Sequence, residues 1–378
     1  MSELILNSQH FKHNLHLINS HINPQSCQDS KNAESKRADS CLDSHLDSKR
    51  TESCVDSHKV ELALVLKDNA YGHGLEQMAQ LAAMNGVKSV FVKNYDEAMR
   101  IRDYFPSITA FYGMPAGDFP PHIAFVINHF DHITTLPRGT KVELKVNAGM
   151  NRNGIESSEL ESYIRAILAH GLELVGVFSH NGYGDDVDEN FALTQRNFAA
   201  IKAQVRELSK ILHFPLPRFH SLSSSGAVRV ANEGGIDDDL VRIGIAAYGY
   251  LEAAFSEVLS PRLKKVAALY ADRVSTRTLR AGERIGYSGC TRLDRECVVS
   301  TYDIGYGDGF FRVAEGREVF TASGLKILPR SSMDCFSCVC DEPRICVFDD
   351  VTPIARAFGT ISYEILTHLS PFIRRTII

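Results

Sequence analysis

The stretch LVLKDNAYGHG, residues 64–74, places one lysine at the end of an apolar, strand-like run and follows it with a polar turn that contains two glycines. An amine at the end of a buried strand is held in one orientation and loses part of its hydration, which favours the neutral, nucleophilic form. Lys67 is therefore a candidate for forming an imine with an aldehyde. A lysine that merely extends its ammonium group from a strand end into solvent fits the run equally well.

Eight short apolar runs occur between residues 60 and 243, and helix-like segments separate many of them. The runs are Val60–Leu66, Ser89–Val92, Ile108–Tyr112, Ile123–Ile127, Val142–Val146, Leu174–Phe178, Phe219–Leu222 and Leu240–Ile243. The segments Gly74–Met84, Ser158–His170 and Phe191–Leu212 carry apolar residues at three- and four-residue spacing, which is typical of helices. Alternating strands and helices predict a parallel sheet, and eight such units over about 200 residues predict an α/β fold of the TIM (β/α)8 barrel type.

The pattern changes from about Lys264 onward, where short runs lie between polar or glycine-containing turns without long helices. These runs are Val266–Tyr270, Cys297–Tyr302, Glu318–Thr321 and Arg344–Phe348. They indicate a small, mainly antiparallel β domain. We therefore predict a barrel domain at residues 1–260 and a C-terminal β domain at residues 261–378.

The composition is that of a two-domain protein with substantial cores: 378 residues, 44% of them hydrophobic, and a net charge of −5. This charge gives no reason to expect a nucleic-acid partner. No apolar run approaches the roughly 20 residues of a membrane span, and residues 1–21 lack the pattern of a secretion signal. We expect a cytoplasmic protein without a membrane partner, whose nine cysteines are reduced thiols.

A Ser-, Asp-, Lys- and Cys-rich segment at about residues 23–59 repeats the pattern Ser-Cys-x-Asp-Ser three times. It cannot bury enough apolar surface to offset its ordering entropy, and we predict a disordered surface insertion there. Cys41 with His45 and Cys54 with His58 have a spacing that zinc sites use, but no hydrophobic frame surrounds them. We therefore predict no metal site in the chain, and we interpret Cys335, Cys338 and Cys340 as ordinary thiols.

The lysine stretch resembles the motif K-A-N-A-Y-G-H-G of alanine racemases, which bind pyridoxal 5′-phosphate through this lysine; Asp68 replaces an alanine. Further stretches resemble the same family in the same order. They are residues 145–154 (KVNAGMNRNG), 177–180 (VFSH), 219–226 (FHSLSSSG), 241–245 (VRIGI), 284–289 (RIGYSG), 304–309 (IGYGDG), 330–334 (RSSMD) and 360–364 (TISYE). The resemblance covers the chain except for the insertion.

The resemblance implies a cofactor site in which Lys67 is joined by seven other residues. They are Tyr71, His180, Ser224, Arg242, Gly244, Ile245 and Tyr363. His180 matches the histidine that stacks on the pyridine ring. Ser224 opens a helix, and the free amides at a helix N-terminus suit a phosphate dianion. Ser223, next to it, replaces an asparagine of the family motif.

Arg242 carries the implication for reaction type, because the resemblance places it against the pyridine nitrogen. A permanent cation there keeps the nitrogen unprotonated and makes the ring a weak electron sink, which limits transamination. Related barrel decarboxylases use an acid at this position. Arg242 therefore favours racemisation over decarboxylation.

Racemisation needs one base on each face of Cα. By resemblance the two are Lys67 and Tyr287, the latter preceded by Gly286 where the family has serine. In the family this tyrosine reaches the active site of the partner subunit. A head-to-tail homodimer with two composite sites is therefore implied.

Four further residues are implied at the substrate. Arg152 would hold its carboxylate bidentately, the Met333 amide would meet the same group, and Tyr306 would narrow the entrance. Lys145 matches a lysine that is often carbamylated in the family. Because Asn147 and Ala148 replace the usual Asp-Thr nearby, carbamylation stays open.

The predicted function is interconversion of L-alanine and D-alanine, which supplies D-alanine for peptidoglycan. Four alternatives remain: a broad-specificity amino-acid racemase, a barrel decarboxylase, a cofactor-binding protein without catalysis, and a racemase degenerate in function. The third should lack the C-terminal β domain. The departures from the family motifs (Asp68, Asn147, Ala148, Ser223 and Gly286) keep the fourth open.

Overall fold

The computed structural model describes residues 1–24, 59–187, 189–251, 253–254 and 256–378. Eight parallel strands in it form a nearly closed barrel. They are Glu61–Val65, Ser89–Val92, Ser107–Ala110, Ile123–Ile127, Lys141–Lys145, Glu173–Phe178, Arg218–His220 and Leu240–Ile243. Neighbours pair in chain order, and the last strand pairs with the first. Hydrogen bonds from Asp239 N to Phe219 O (2.9 Å) and from Arg242 N to Leu222 O (3.0 Å) bridge the remaining gap.

Helices connect and surround these strands. They are Ser8–Ile22, Leu75–Met84, Tyr95–Arg100, Asp131–Thr135, Leu160–His170, Glu189–Leu212 and Ser224–Glu233. The Asn7 side chain caps the first helix by accepting a hydrogen bond from His10 N at 2.9 Å. The strands between the helices are buried on both faces; all four residues of Ser89–Val92 are buried, for example.

The C-terminal part contains a seven-stranded, mainly antiparallel sheet, which together with the barrel confirms the predicted fold class. Its strands are Glu3–Leu6, Ala267–Leu279, Cys297–Tyr302, Ile327–Leu328, Phe336–Val339, Arg344–Phe348 and Arg374–Ile377. Arg284–Ile285 and Thr291–Arg292 form a separate two-stranded ribbon. The run Glu318–Thr321 forms only a single bridge, from Phe320 to Lys326, and not the predicted strand. Two short helices, Thr352–Phe358 and Ser362–His368, also lie in this part.

The strand that opens the chain belongs to this C-terminal sheet. Glu3–Leu6 pairs antiparallel with Ala267–Leu279 and parallel with Arg374–Ile377. The predicted barrel domain, residues 1–260, thus includes one strand that pairs within the C-terminal sheet. The predicted insertion, with its Cys-His pairs, lies almost wholly outside the described residues.

The turn after Lys67 has an unusual backbone. Asp68, Asn69, Ala70 and Tyr71 all adopt left-handed conformations, with φ between 52° and 55°. Each such residue costs roughly 1–2 kcal/mol, so the surroundings must hold the turn in place. Glu97 accepts a hydrogen bond from Asn69 N at 2.9 Å, and Arg375 donates one to Gly72 O at 2.8 Å.

Gly72 ends this turn with φ of 79°, and a Cβ at this position would lie 1.8 Å from Leu366 O. We expect Gly72→Ala to lower the free energy of unfolding by at least about 3 kcal/mol, because backbone strain and a steric clash add together. Gly86 has a φ of 78° but no atom within 4 Å of such a Cβ, so Gly86→Ala is the matched control and should cost about 1 kcal/mol. Urea unfolding measures both, and equal losses would contradict the prediction.

Candidate active site

A cavity of about 350 Å³ opens at the carboxyl ends of the barrel strands, where TIM barrels carry their active sites. Ten of the predicted site residues line it: Lys67, Tyr71, Lys145, Arg152, His180, Ser224, Arg242, Gly244, Ile245 and Tyr363. A larger cavity of about 580 Å³ lies beside the helix Ser8–Ile22 and contains none of them. The smaller cavity is therefore the candidate site.

Lys67 lies two residues beyond the end of the strand Glu61–Val65, at the wall of this cavity. Burial lowers the pKa of its amine, and the positive charges of Arg152 and Lys93 lower it further. Asp68 opposes this effect, but Lys93 engages its carboxylate at 2.7 Å. The amine is thus closer to its neutral form than an exposed lysine would be.

Backbone amides and hydroxyls converge at one end of the cavity. Ser224 Oγ accepts a hydrogen bond from Gly244 N at 3.0 Å, and Ala246 N lies 3.5 Å from the same oxygen. A Cβ at residue 244 would lie 2.4 Å from the Tyr71 hydroxyl, so only glycine lets this hydroxyl reach the amides. The Tyr363 ring lies 5.9 Å from that of Tyr71. Together with the N-terminus of the helix Ser224–Glu233, these groups suit a phosphate dianion.

Arg242 is buried in the cavity floor, with 4% of its surface exposed. Its guanidinium donates to Ser179 O at 2.9 Å and to Ser221 O at 3.3 Å, and it contacts the His220 ring nitrogen Nδ1. Burial lowers the pKa of Arg242 to about 10, so the side chain stays a cation at neutral pH. The site therefore has a fixed positive charge.

His180 and Lys145 lie near this charge. Burial, followed by the charge of Arg242, lowers the pKa of His180 to about 3, so its ring is neutral at neutral pH. Burial, followed by repulsion from Arg152, lowers the pKa of Lys145 to about 7. Lys145 is therefore neutral in a large fraction of the molecules near pH 7. In its charged form the ammonium group donates a hydrogen bond to Asn153 Oδ1.

Asn147 organises the loop that brings Arg152 to the cavity rim. Its Oδ1 accepts hydrogen bonds from Gly149 N and Asn151 N, both at 3.1 Å, and its Nδ2 donates to Glu156 at 3.0 Å. Arg152 is exposed to solvent within this loop. The asparagine that departs from the family motif thus supplies both the acceptor and the donor that shape the loop.

Three predicted site residues lie outside the cavity, on the C-terminal domain. Tyr287, Tyr306 and Met333 are 59%, 40% and 61% exposed. The last two adjoin, since Tyr306 N donates to Ser332 O at 3.2 Å and Gly307 N to Met333 O at 2.6 Å. Gly286 has a φ of 84°, and a Cβ there would lie 2.8 Å from Pro329 O, which explains the absence of the family's serine. One chain alone does not bring Tyr287 into its own cavity.

Comparison with known proteins assigns the family. The models of the N-terminal and C-terminal domains of alanine racemase match residues 48–252 and 266–377. The chain belongs to the alanine racemase family. It is therefore an enzyme, an isomerase that acts on amino acids, as the sequence predicts.

Relatives of known name support this assignment. The chain is 39% identical to the alanine racemase of Campylobacter curvus over 317 residues, which are 84% of this chain and 92% of the relative. It is 38% identical to that of Campylobacter concisus over 320 residues, 85% and 93% of the two chains. The matched region thus extends over both domains.

Solved alanine racemases share the fold. That of Streptomyces lavendulae, a producer of D-cycloserine, has a TM-score of 0.78 and 20% identity, with 100% of this chain and 97% of that one covered. That of Bartonella henselae, solved with covalently bound pyridoxal phosphate, has a TM-score of 0.74 and 21% identity, with 100% and 99% covered. In the described part of our chain, no helix combines the length and the apolar character needed to cross a membrane.

Several residues of the alanine racemase cavity escape the sequence analysis. Phe178 stacks on His220 with ring centroids 4.8 Å apart and lies 5.2 Å from the guanidinium of Arg242. Asp185, Tyr112 and Ile361 also line the cavity. Phe178 and Tyr112 are the last residues of predicted strands, and this position at the strand ends could have marked them as candidate site residues. Within the described ranges, no three His, Cys, Asp or Glu side chains gather as metal ligands.

Proposed function

We propose that this member of the alanine racemase family binds pyridoxal 5′-phosphate and interconverts L-alanine and D-alanine. The observation that carries the proposal is the cavity in which a partly desolvated Lys67, a phosphate-sized group of amides and hydroxyls, and a buried Arg242 line one space. Lys67 would hold the cofactor aldehyde. Ser224, Gly244, Ile245, Tyr71 and Tyr363 would hold its phosphate, while His180 would pack on its ring.

The residues present fit the group. A cavity of about 350 Å³ is within the usual size for a small-molecule site, and the missing Cβ at Gly244 keeps the amide end open. When bound, pyridoxal 5′-phosphate supplies an electron-withdrawing ring that acidifies the Cα–H bond of an amino acid. Arg242 would place a cation, not an acid, against the cofactor ring, which would limit that withdrawal and favour return of the proton over other outcomes.

The chain's own groups would move the proton. The Lys67 amine would act as a base on one face of the substrate Cα, and its lowered pKa suits this role near neutral pH. Arg152 at the rim would hold the substrate carboxylate. Because Lys145 is partly neutral near pH 7, it is available for carbamylation by CO2, which would replace a repulsive cation beside Arg152 by an anion.

The second base, on our proposal, is Tyr287 of a partner subunit. Tyr287 is 59% exposed and does not line its own chain's cavity, which is in keeping with a site completed by a second copy. Met333 and Tyr306 would reach the same site and narrow its entrance. The enzyme would therefore be a head-to-tail homodimer that supplies D-alanine for peptidoglycan. Its location would be the cytoplasm, where the six described cysteines, all free thiols, would stay reduced.

The test is to give the purified protein, with added pyridoxal 5′-phosphate, L-alanine, L-serine or L-lysine separately in deuterated water. We expect D-alanine carrying deuterium at Cα as the dominant product, with little change of serine and lysine. Chiral chromatography with mass spectrometry measures this. Similar turnover of all three would indicate a broad-specificity racemase, and release of CO2 would indicate the decarboxylase alternative; either result would overturn the proposal.

A further inference from the structure

The interior of the barrel contains charged side chains where TIM barrels usually carry branched apolar ones. Glu143, in the strand Lys141–Lys145, is fully buried, and so is His220 in the strand Arg218–His220. Arg218 begins the latter strand and contacts Glu143 from the amino-terminal end of the barrel. Arg242 contacts His220 from the opposite end, where the cavity lies. These four residues form a continuous chain through the barrel, from Arg218 to the candidate site.

The hydrogen bonds of this chain have a fixed direction. A guanidinium only donates, so His220 Nδ1 must accept from Arg242 Nη1. The ring proton is then on Nε2, which lies 2.9 Å from Glu143 Oε2 and donates to it. The other carboxylate oxygen, Oε1, accepts from Thr109 Oγ1 at 3.1 Å and from Arg218 Nε at 3.1 Å. Every acceptor of Glu143 is thus engaged.

The protonation of the groups agrees with this geometry. Burial lowers the pKa of His220 to about 4, so the ring is neutral at neutral pH and carries a single proton on one of its two nitrogens. Burial alone would raise the pKa of Glu143, but attraction to Arg218 and the hydrogen bond from His220 hold it well below its usual range. The carboxylate therefore stays an anion, and an anion at Oε2 accepts only from a protonated Nε2.

We propose that Glu143 is a positioning residue of the racemase: by fixing the tautomer of His220, it keeps Nδ1 as an acceptor and so holds the Arg242 guanidinium at the cofactor ring nitrogen. This inference rests on the proposed cofactor placement. The other partners of Arg242 are the carbonyl oxygens of Ser179 and Ser221, whose positions are set by the backbone, and the ring nitrogen Nδ1 of His180 at 3.4 Å. Of the two histidines, His220 makes the closer contact, and its other ring nitrogen is bonded to Glu143, which can therefore control its tautomer.

The variant Glu143→Gln tests the tautomer directly. Arg218 attracts the amide oxygen of the glutamine, so the amide NH2 faces His220 Nε2 and can only donate to it. His220 must then carry its proton on Nδ1, where it opposes the donor of Arg242. Ring-nitrogen NMR of the full-length, cofactor-free protein reports this change, with the His220 signals assigned by their loss in His220→Gln.

A second variant keeps the test decisive if the uncompensated Arg218 impairs folding. In Glu143→Gln with Arg218→Met, the attraction to Arg218 is gone, so the amide oxygen can turn to His220 and restore the Nε2–H tautomer. Thr109→Val is the matched control, because it removes a hydrogen bond to Glu143 without touching His220. We expect the tautomer of the unmodified protein in both of these variants.

The reaction provides a second measurement in the cofactor-loaded enzyme. Transamination transfers the amino group of alanine to the cofactor and releases pyruvate, so the ratio of pyruvate to racemised alanine reports how well Arg242 controls the ring. We expect Glu143→Gln to raise this ratio about ten-fold, the effect of losing one hydrogen bond to a charged group, and the double variant to restore it.

Three results would overturn the inference: an unchanged His220 tautomer in Glu143→Gln, an unchanged pyruvate ratio in that variant, or an equal rise of the ratio in Thr109→Val. Absence of racemisation by the unmodified protein would instead overturn the proposed function. The tautomer measurement needs no cofactor and would still decide whether Glu143 controls His220.

Discussion

Replacing Lys67 by alanine is expected to abolish racemisation, with a loss beyond about 10⁴-fold, because one side chain both anchors the cofactor and acts as a base. The absorbance band of the cofactor bound to the lysine as an imine should vanish as well. Chiral analysis of the alanine product and an absorbance spectrum measure the two effects. The cavity position of Lys67 and the lowered pKa of its amine are the reasons for both.

Lys93→Ala is the matched control for this experiment. Lys93 is a neighbouring lysine that is paired with Asp68 at 2.7 Å, but its side chain is about half exposed and does not line the cavity. An exposed ion pair contributes roughly 0–1 kcal/mol, so activity should stay within about ten-fold of the parent. An unchanged imine spectrum in Lys67→Ala would remove the basis of the proposed function.

Tyr287→Phe is expected to reduce racemisation by about 10²–10⁴-fold, the usual contribution of one acid–base group. Because Lys67 would remain, one enantiomer of alanine should still exchange its Cα hydrogen with deuterated water, while the other should exchange much more slowly. NMR of each enantiomer during incubation measures this asymmetry. Equal exchange from both enantiomers would refute the role of Tyr287.

Mixed dimers test whether Tyr287 acts across the interface. Co-expression of Lys67→Ala and Tyr287→Phe chains gives hybrids in half of the dimers if assembly is random, and each hybrid has one intact site out of two. Activity should therefore recover to about a quarter of the parent value, although each variant alone is inactive. No recovery would contradict a composite site.

Much of the barrel could be predicted from the sequence, because its strands are buried on both faces and form uninterrupted apolar runs. The predicted runs Ser89–Val92, Ile123–Ile127 and Leu240–Ile243 coincide with the observed strands. Cys297–Tyr302 and Arg344–Phe348 are also correct at both ends. The strand Ala267–Leu279 was predicted only as far as Tyr270, because most of its second half is polar and exposed and has no buried face to reveal a period of two.

The remaining errors have equally local causes. Glu3–Leu6 has only four residues, and its partners lie near the far end of the chain, so no neighbouring pattern marks it as a strand. The left-handed turn after Lys67 is invisible because it contains non-glycine residues that normally avoid positive φ.

Some residues of the candidate site could be predicted from the sequence, and others could not. Lys67, His180 and Arg242 are polar residues at strand ends, where barrel chemistry is expected, and they line one cavity. Glu143 and Arg218 escape this rule, because one lies in the middle of its strand and the other at its beginning. Only the folded barrel shows that they reach His220 and Arg242.

The position of Glu3–Leu6 has a consequence for how the protein is made. This strand leaves the ribosome well before either of its partners, Ala267–Leu279 and Arg374–Ile377. Until they follow, its apolar residues and unpaired amides stay available to other nascent chains, as an open strand edge does. The eight barrel strands all lie between Glu3–Leu6 and these partners in the chain, so the barrel can form before this sheet does. A chain cut short within the barrel would keep an exposed strand that chaperones and proteases can recognise.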